Sequence, residues 1–256
     1  MTKTGTKFYF ISDFHLGIPD YTSSLQREKR FVRLLDEVKV DASAIYLMGD
    51  VFDFWFEYHT VIPKGFARLF GKLAEITDSG IPVHLFRGNH DIWAFNYLET
   101  ELNIQLHRTF EIATLGGKKF FLSHGDGLGP GDMGYKFIKW VFERRINQWL
   151  FRWLHPDFGS QIALYFSRKS RIANVIKEGR IEKAGSFENE RLIIFSREMA
   201  AKDPSIDYFI FGHRHLPIDV PVSNNAHCII LGDWVTNFTY AVFDGEQLEL
   251  KHFPEV

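Results

Sequence analysis

The sequence predicts an α/β fold with a helical insertion, and three observations carry that expectation. Short apolar runs alternate with stretches of helical periodicity in the first part of the chain, the β-α-β order that gives parallel pairing. Five apolar runs end abruptly in clusters of Asp, His or Asn, which is where α/β sheets carry their sites. Residues 132–183 hold no strand pattern and read as an inserted unit within one domain spanning 1–256.

Residues 7–11 (Lys-Phe-Tyr-Phe-Ile) read as a buried strand that delivers Asp13 and His15 into a loop. In an extended segment, Asp-x-His puts a hard oxygen and an imidazole on one side, so both can ligate one metal. Residues 25–38 are amphipathic, with Phe31, Leu34, Leu35 and Val38 at helical spacing. The run Ala44-Ile45-Tyr46-Leu47-Met48 then stops at Gly49-Asp50, with Asp53 close behind. A short apolar run closed by Gly is a buried strand giving way to a loop. Residues 52–58 are dense in aromatics and read as packing around the site. A second amphipathic helix is expected over 63–77, with Pro63 in its first turn.

Residues 81–86 form a third strand, ending in Arg87-Gly88-Asn89-His90-Asp91. Asn89 offers a neutral amide oxygen, and His90 is an acid candidate beside it. Strands over 104–114 and 118–123 are expected to meet at Gly116-Gly117, a hairpin signal, and the second feeds His124-Gly125-Asp126. Four glycines and a proline over 127–134 mark a hinge.

Beyond the hinge, Phe142, Ile146, Trp149, Leu150 and Trp153 recur at helical spacing. Pro156-Asp157 breaks the pattern, and another helix is expected over 162–176. Residues 136–183 carry eleven Lys or Arg against four Asp or Glu, and ten aromatics lie between Tyr135 and Phe166. Two readings stand: helices whose aromatics pack on the core, or an apolar and basic lid for an amphiphilic anionic substrate. A basic amphipathic segment also suits a membrane surface. Large aromatics clustered at helical spacing favour packing or lipid over RNA, so no nucleic-acid partner is expected. A helix over 189–201 and a strand over 206–211 follow, the latter delivering Gly212-His213-Arg214-His215. Strands over 217–222, 227–231, 238–243 and 247–253 complete the chain, with Asp244-Gly245 as a hairpin turn.

At 256 residues the chain can bury a full hydrophobic core. Its formal net charge of -2 gives no global pull toward nucleic acid. The single cysteine, Cys228, sits in an apolar run and reads as a buried structural thiol. One cysteine allows no disulfide framework, which fits a reducing compartment. No apolar run reaches a membrane span and no signal peptide is visible, so a cytoplasmic protein is expected.

The ligand-type residues at the strand ends are Asp13, His15, Asp50, Asn89, His124, His213 and His215. That set is too large for one cation and suits two sharing a carboxylate. Mixed nitrogen and oxygen donors without thiolate suit Mn, Fe, Mg or Zn and do not select among them. Two such cations can activate water and clamp a phosphoryl group for in-line displacement. One cysteine excludes zinc-finger chemistry. No Gly-x-Ser-x-Gly elbow and no P-loop is present.

The ordered motifs Asp-x-His, Gly-Asp-x-x-Asp, Gly-Asn-His-Asp, His-Gly-Asp and Gly-His-x-His resemble those of the calcineurin-like metallophosphoesterases, over residues 13–215. The resemblance implies a four-layer α-β-β-α sandwich with the metals at the strand ends. It implies one metal on Asp13, His15, Asp50 and His215, another on Asp50, Asn89, His124 and His213, and Asp50 as the bridge. His90 would act on the phosphate or leaving group, and Asp53 would orient a ligand. Within that superfamily the chain is similar to the UDP-2,3-diacylglucosamine pyrophosphatases of lipid A synthesis. Asp-Phe-His-Leu-Gly at 13–17, Gly-Asp-x-Phe-Asp-x-Trp at 49–55 and the helical insert carry that likeness, as do Asp132, Tyr135 and the Lys-Ser-Arg-x-x-Asn-x-x-Lys run at 169–177. It implies a dinuclear enzyme, most readily with Mn, at the cytoplasmic face of the inner membrane as a peripheral protein. Its substrate would be an acylated nucleotide sugar, with Asn89, His90, Asp132, Tyr135, Ser170, Asn174, Lys177 and His213 as substrate contacts. One departure is His90, where those enzymes have Arg after the motif Asn; His is the residue of the wider superfamily.

Overall fold

The structure is a computed structural model that describes residues 5–167, 187 and 189–254. Two sheets face each other. The first has six strands in the order β11-β10-β1-β2-β3-β4: β1 Lys7–Ile11, β2 Ala42–Leu47, β3 Val83–Phe86, β4 Gln105–His107, β10 Thr239–Phe243 and β11 Leu248–His252. The second runs β5-β6-β7-β9-β8: β5 Glu111–Leu115, β6 Lys118–Leu122, β7 Tyr208–Phe211, β8 Pro217–Pro221 and β9 His227–Leu231. β1 through β4 pair in parallel, as the β-α-β order predicts. β6, β7 and β9 also pair in parallel.

Strand alternation divides the core into layers. Tyr9 and Ile11 of β1 point outward to helices α1 (Tyr21–Val38), α2 (Ala67–Asp78) and α3 (Tyr97–Leu102), where Phe31, Leu34, Leu73 and Leu98 cover them. Phe10 points the other way, into a layer shared with Phe120 and Leu122 of β6, Ile210 of β7 and Ile229 of β9. Phe209 and Phe211 pack outward against Leu192, Ile193 and Ala200 of α7 (Arg191–Lys202). Side chains of successive strand residues face opposite sides, so a strand buried on both faces reads as a continuous apolar run. Helices, two sheets and a helix give the expected four layers. Cys228 is fully buried in the outer layer, and burial pushes its thiol up to about 12.

Three departures from expectation have local causes. The helix predicted from Pro63 starts at Ala67, because Phe66 takes a left-handed backbone (φ 59°) that an α-helix cannot include. The start is held instead by buried Glu28 of α1, whose Oε1 accepts the Arg68 and Leu69 N–H groups at 2.9 and 3.1 Å. Glu28→Ala is expected to cost about 1–3 kcal/mol by stranding those amides, read as a lower denaturation midpoint with unchanged m-value. The strand predicted over 104–114 is broken at 108–110, because β4 closes the first sheet and β5 opens the second. The helix predicted over 162–176 begins at residue 156, with Pro156 at its first position, and is described to residue 167.

The inserted stretch carries α4 (Met133–Phe142), α5 (Arg145–Arg152) and this segment over 156–167, labelled α6. Neither α4 nor α5 buries a residue fully. Phe151 is one attachment point: its ring lies 4.7 Å from both Phe56 and Trp93 in an aromatic box with Phe54 and Tyr58. No described helix is long and apolar enough to cross a membrane.

Candidate metal centre

Five parallel or near-parallel strand ends converge. β1 supplies Asp13 and His15, β2 Asp50 and Asp53, β3 Asn89 and His90, β6 His124, and β7 His213 and His215. The ladder continues past the strands. Asp13 N–H donates to Gly49 O (3.1 Å), His15 N–H to Asp50 O (3.0 Å), and Gly212 N–H to His124 O (3.0 Å). Those bonds hold a strained backbone, since Asp13, His15, Asp50, His213 and His215 all have φ between 45° and 66°. A non-glycine residue there costs on the order of 1–2 kcal/mol, and such residues cluster at functional sites. Glycines make the room: a Cβ on Gly88 would sit 2.1 Å from Asp50 Oδ1, and one on Gly212 would sit 2.5 Å from Asp13 Oδ2.

Two donor groups form around Asp50. In the first, Asp13, His15 and His215 converge, with His215 Nε2 3.2 Å and His15 Nε2 3.6 Å from Asp13 Oδ1. In the second, Asp50, His124 and His213 converge. Asn89 Oδ1 joins them at 2.8 Å from His213 Nδ1 and 3.3 Å from His124 Nε2. Asp50 Oδ2 lies between the groups, 3.8 Å from His15 Nε2 and 3.4 Å from His124 Nε2. All seven sequence-predicted ligands therefore meet at one place.

The surroundings aim these donors. His124 Nδ1–H donates to the Met48 carbonyl at 2.8 Å, which leaves Nε2 pointing at Asp50. A carbonyl can only accept, so the tautomer follows from the contact. Asp53 Oδ1 faces His15 Nδ1 at 3.4 Å, a position from which it could orient that ring. His213 N–H donates to Asp13 Oδ2 at 2.9 Å, and His90 N–H to Asp50 Oδ1 at 2.9 Å. Burial pushes the Asp13 and Asp50 carboxyls up, but the imidazoles around them outweigh it and hold both well below the usual carboxylate range. Burial, then the neighbouring His124, pushes His213 down to about 4, so it is a neutral imidazole with a free lone pair.

The residues fit two divalent cations. Asp13 Oδ1 is buried with no hydrogen-bond partner among the described residues, yet it faces two imidazole nitrogens. A buried carboxylate oxygen in that position calls for a cation. The back-side bond from His124 to the Met48 carbonyl is of the kind that orients a metal-bound imidazole, and the Asp53 carboxylate lies in the corresponding place behind His15.

The family profile for calcineurin-like phosphoesterase matches residues 6–217. The chain belongs to the calcineurin-like phosphoesterase family. This family of metal-dependent hydrolases uses a dinuclear site, and the clusters around Asp50 are the candidate ligands for one here. A UDP-2,3-diacylglucosamine hydrolase of Porphyromonas gingivalis is 38% identical over 259 residues, covering 98% of this chain and 99% of its own. Enzymes of the same name from Yersinia enterocolitica and Yersinia pestis are each 26% identical, covering 96% of this chain and 98% of theirs.

Other predicted site residues of this calcineurin-like chain fall as follows. His90 Nδ1–H donates to the Asp53 carbonyl at 2.8 Å, and its ring stands edge-on to His15 at 4.8 Å. Tyr135 O–H donates to Asp126 Oδ2 at 2.6 Å, with its ring 6.1 Å from His213. Asp132 is exposed and paired with Arg191 of α7 at 2.5 Å. Ser170, Asn174 and Lys177 lie outside the described residues. Asp233 was missed by sequence reasoning; its Oδ2 faces His215 Nδ1 at 3.5 Å. A signal existed, since Gly232-Asp233 closes the apolar run of β9 just as Gly49-Asp50 follows β2. Ser167 of α6 was missed too: its O–H donates to Asp53 Oδ2 at 2.7 Å, tying the insertion to the centre. A cavity of about 200 Å³ opens beside His124, lined by Arg87, Arg108 and Lys139 among others.

Asp53→Ala is expected to lower metal affinity roughly 10- to 100-fold by freeing the His15 ring, with the fold retained. Metal titration alongside circular dichroism checks it, and unchanged affinity would refute the orienting role.

Proposed function

We propose that the chain hydrolyses the pyrophosphate bond of UDP-2,3-diacylglucosamine to UMP and 2,3-diacylglucosamine 1-phosphate, a step of lipid A synthesis. The observation that carries the reading is Asp50 Oδ2, placed between two complete donor groups. The 38% identity to a UDP-2,3-diacylglucosamine hydrolase over nearly the whole of both chains supports the substrate. Asp13, His15, Asp50 and His215 hold one cation, and Asp50, Asn89, His124 and His213 the other, with Mn favoured over Fe, Mg or Zn. When bound, the pair supplies Lewis acidity and an activated water for displacement at phosphorus.

The chain's own residues do the rest. Asp53 fixes His15, and its carbonyl fixes the His90 ring so that Nε2 is directed away from it. His90 stabilises charge developing on the phosphoryl or leaving oxygens. Arg87, Arg108 and Lys139 line the adjoining cavity beside Asp126 and Glu143, and they are the groups that would meet a second phosphate there. Asp132, Tyr135, Ser170, Asn174 and Lys177 contact the sugar and its phosphate, together with Asn89, His90 and His213. Residues 132–183 act as a lid inserted in a single domain spanning 1–256. Exposed Phe137, Trp140, Trp149 and Trp153 on that lid suit acyl chains and the cytoplasmic face of the inner membrane, which makes the protein peripheral there.

The test is purified protein with Mn added, assayed on UDP-2,3-diacylglucosamine and on a soluble phosphodiester. UMP release from the lipid substrate is expected, abolished by a chelator and restored by Mn. Turnover of the soluble diester alone would favour a phosphodiesterase acting on another nucleotide. No turnover of either, with no bound metal, would favour an inactive membrane-surface scaffold.

A further inference from the structure

A second cluster of metal-type donors lies outside the Asp50 centre. His84 of β3, His107 of β4 and Glu111 of β5 place their donor atoms within 4.8 Å of one another. His84 Nδ1 lies 2.9 Å from His107 Nε2. Glu111 Oε2 lies 2.8 Å from His107 Nδ1. That oxygen is nevertheless buried without a hydrogen-bond partner among the described residues, so the close approach lacks hydrogen-bond alignment. His84 is five residues before Asn89, roughly 16 Å along an extended chain, and shares no residue with the first site.

The cluster is preorganised. The His84 ring stacks on Tyr46 at 4.3 Å with a 9° tilt, and the His107 ring stacks on Phe86 at 4.5 Å with a 14° tilt. Burial, then His107, pushes the His84 imidazole down to about 4, which keeps its ring neutral at neutral pH. The side chains of His107 and Glu111 are 20% and 37% exposed, so the cluster borders solvent although Glu111 Oε2 itself is buried. The position also matters to the fold, since His107 ends the first sheet and Glu111 begins the second.

We propose that His84, His107 and Glu111 form an auxiliary site for one divalent transition-metal cation, clamping the crossing between the two sheets. Two imidazoles and a carboxylate, with water completing the shell, are a donor set that zinc and copper take in preference to magnesium or calcium.

The full chain is saturated with Zn2+, freed of excess by gel filtration, and its zinc counted by mass spectrometry while hydrolysis is assayed in parallel. His84→Phe with His107→Phe keeps the aromatic stacking but removes both nitrogens. It is expected to hold one zinc fewer per chain with an unchanged hydrolysis rate. If that double variant does not fold, Glu111→Gln decides the matter. It alters one partly exposed carboxylate and should weaken that one zinc at least about tenfold. A full zinc complement of unaltered affinity in Glu111→Gln overturns the proposal. Zinc loss accompanied by loss of hydrolysis also overturns it, because the missing ion then belongs to the Asp50 centre.

Discussion

Asp50→Ala is expected to lower hydrolysis at least about a thousandfold and to strip bound metal while leaving the fold intact. The size of the effect follows from position. Asp50 Oδ2 faces imidazoles of both donor groups, at 3.8 Å for His15 and 3.4 Å for His124. No other carboxylate in the set does so: Asp13 faces His15 and His215, which share one group. Removing Asp50 therefore weakens both halves at once. It also frees the His90 N–H, which donates to Asp50 Oδ1, so the His90 loop loses an anchor. The fold should survive, because the inter-sheet core of Phe10, Tyr46, Phe86 and Phe120 does not depend on that carboxylate. Kinetics with the proposed lipid substrate, metal counting and circular dichroism together check it. Near-normal turnover would remove the shared-ligand reading altogether.

The centre was legible in the sequence because its signal is local and repeated. Each ligand group follows a short apolar run, and in an α/β sheet parallel strands deliver their ends to one side. Five such ends in one chain leave little freedom in where Asp13, Asp50, Asn89, His124 and His213 meet. What the sequence hid depends on partners far along the chain. Glu28 looks like one more charge on an amphipathic helix, yet it is buried and caps α2 forty residues later. Ser167 and Asp53 are 114 residues apart, so no spacing rule connects them. The break at 108–110 is set by the change of sheet between β4 and β5, and residues 104–114 alone read as one extended run. Helix α3 is only six residues long, too short for periodicity to reveal.

Replacing Phe142, Trp149 and Trp153 together with serine should lower kcat/KM on an acylated substrate roughly 100-fold, since losing about 2–3 kcal/mol of apolar contact corresponds to that factor. Turnover of a soluble phosphodiester should hardly change. The two sequence readings of the insertion part here. Aromatics that serve only to pack on the core would be covered, but Trp153 is 76% exposed, Trp149 53% and Phe142 41%. Truncating Trp149 and Trp153 therefore removes mainly the surface offered to an acyl chain, whereas Phe142 also meets Trp93 at 5.3 Å and its loss gives up some internal packing. Phe151 is the internal control. It sits in the box of Phe56, Trp93, Phe54 and Tyr58, so Phe151→Ser should loosen the insertion from the core. Through Ser167, which donates to Asp53, that loosening reaches the centre itself and should slow both substrates. A triple variant that loses the two activities equally would behave like Phe151→Ser, and the exposed aromatics would then be part of the scaffold, not a surface for acyl chains.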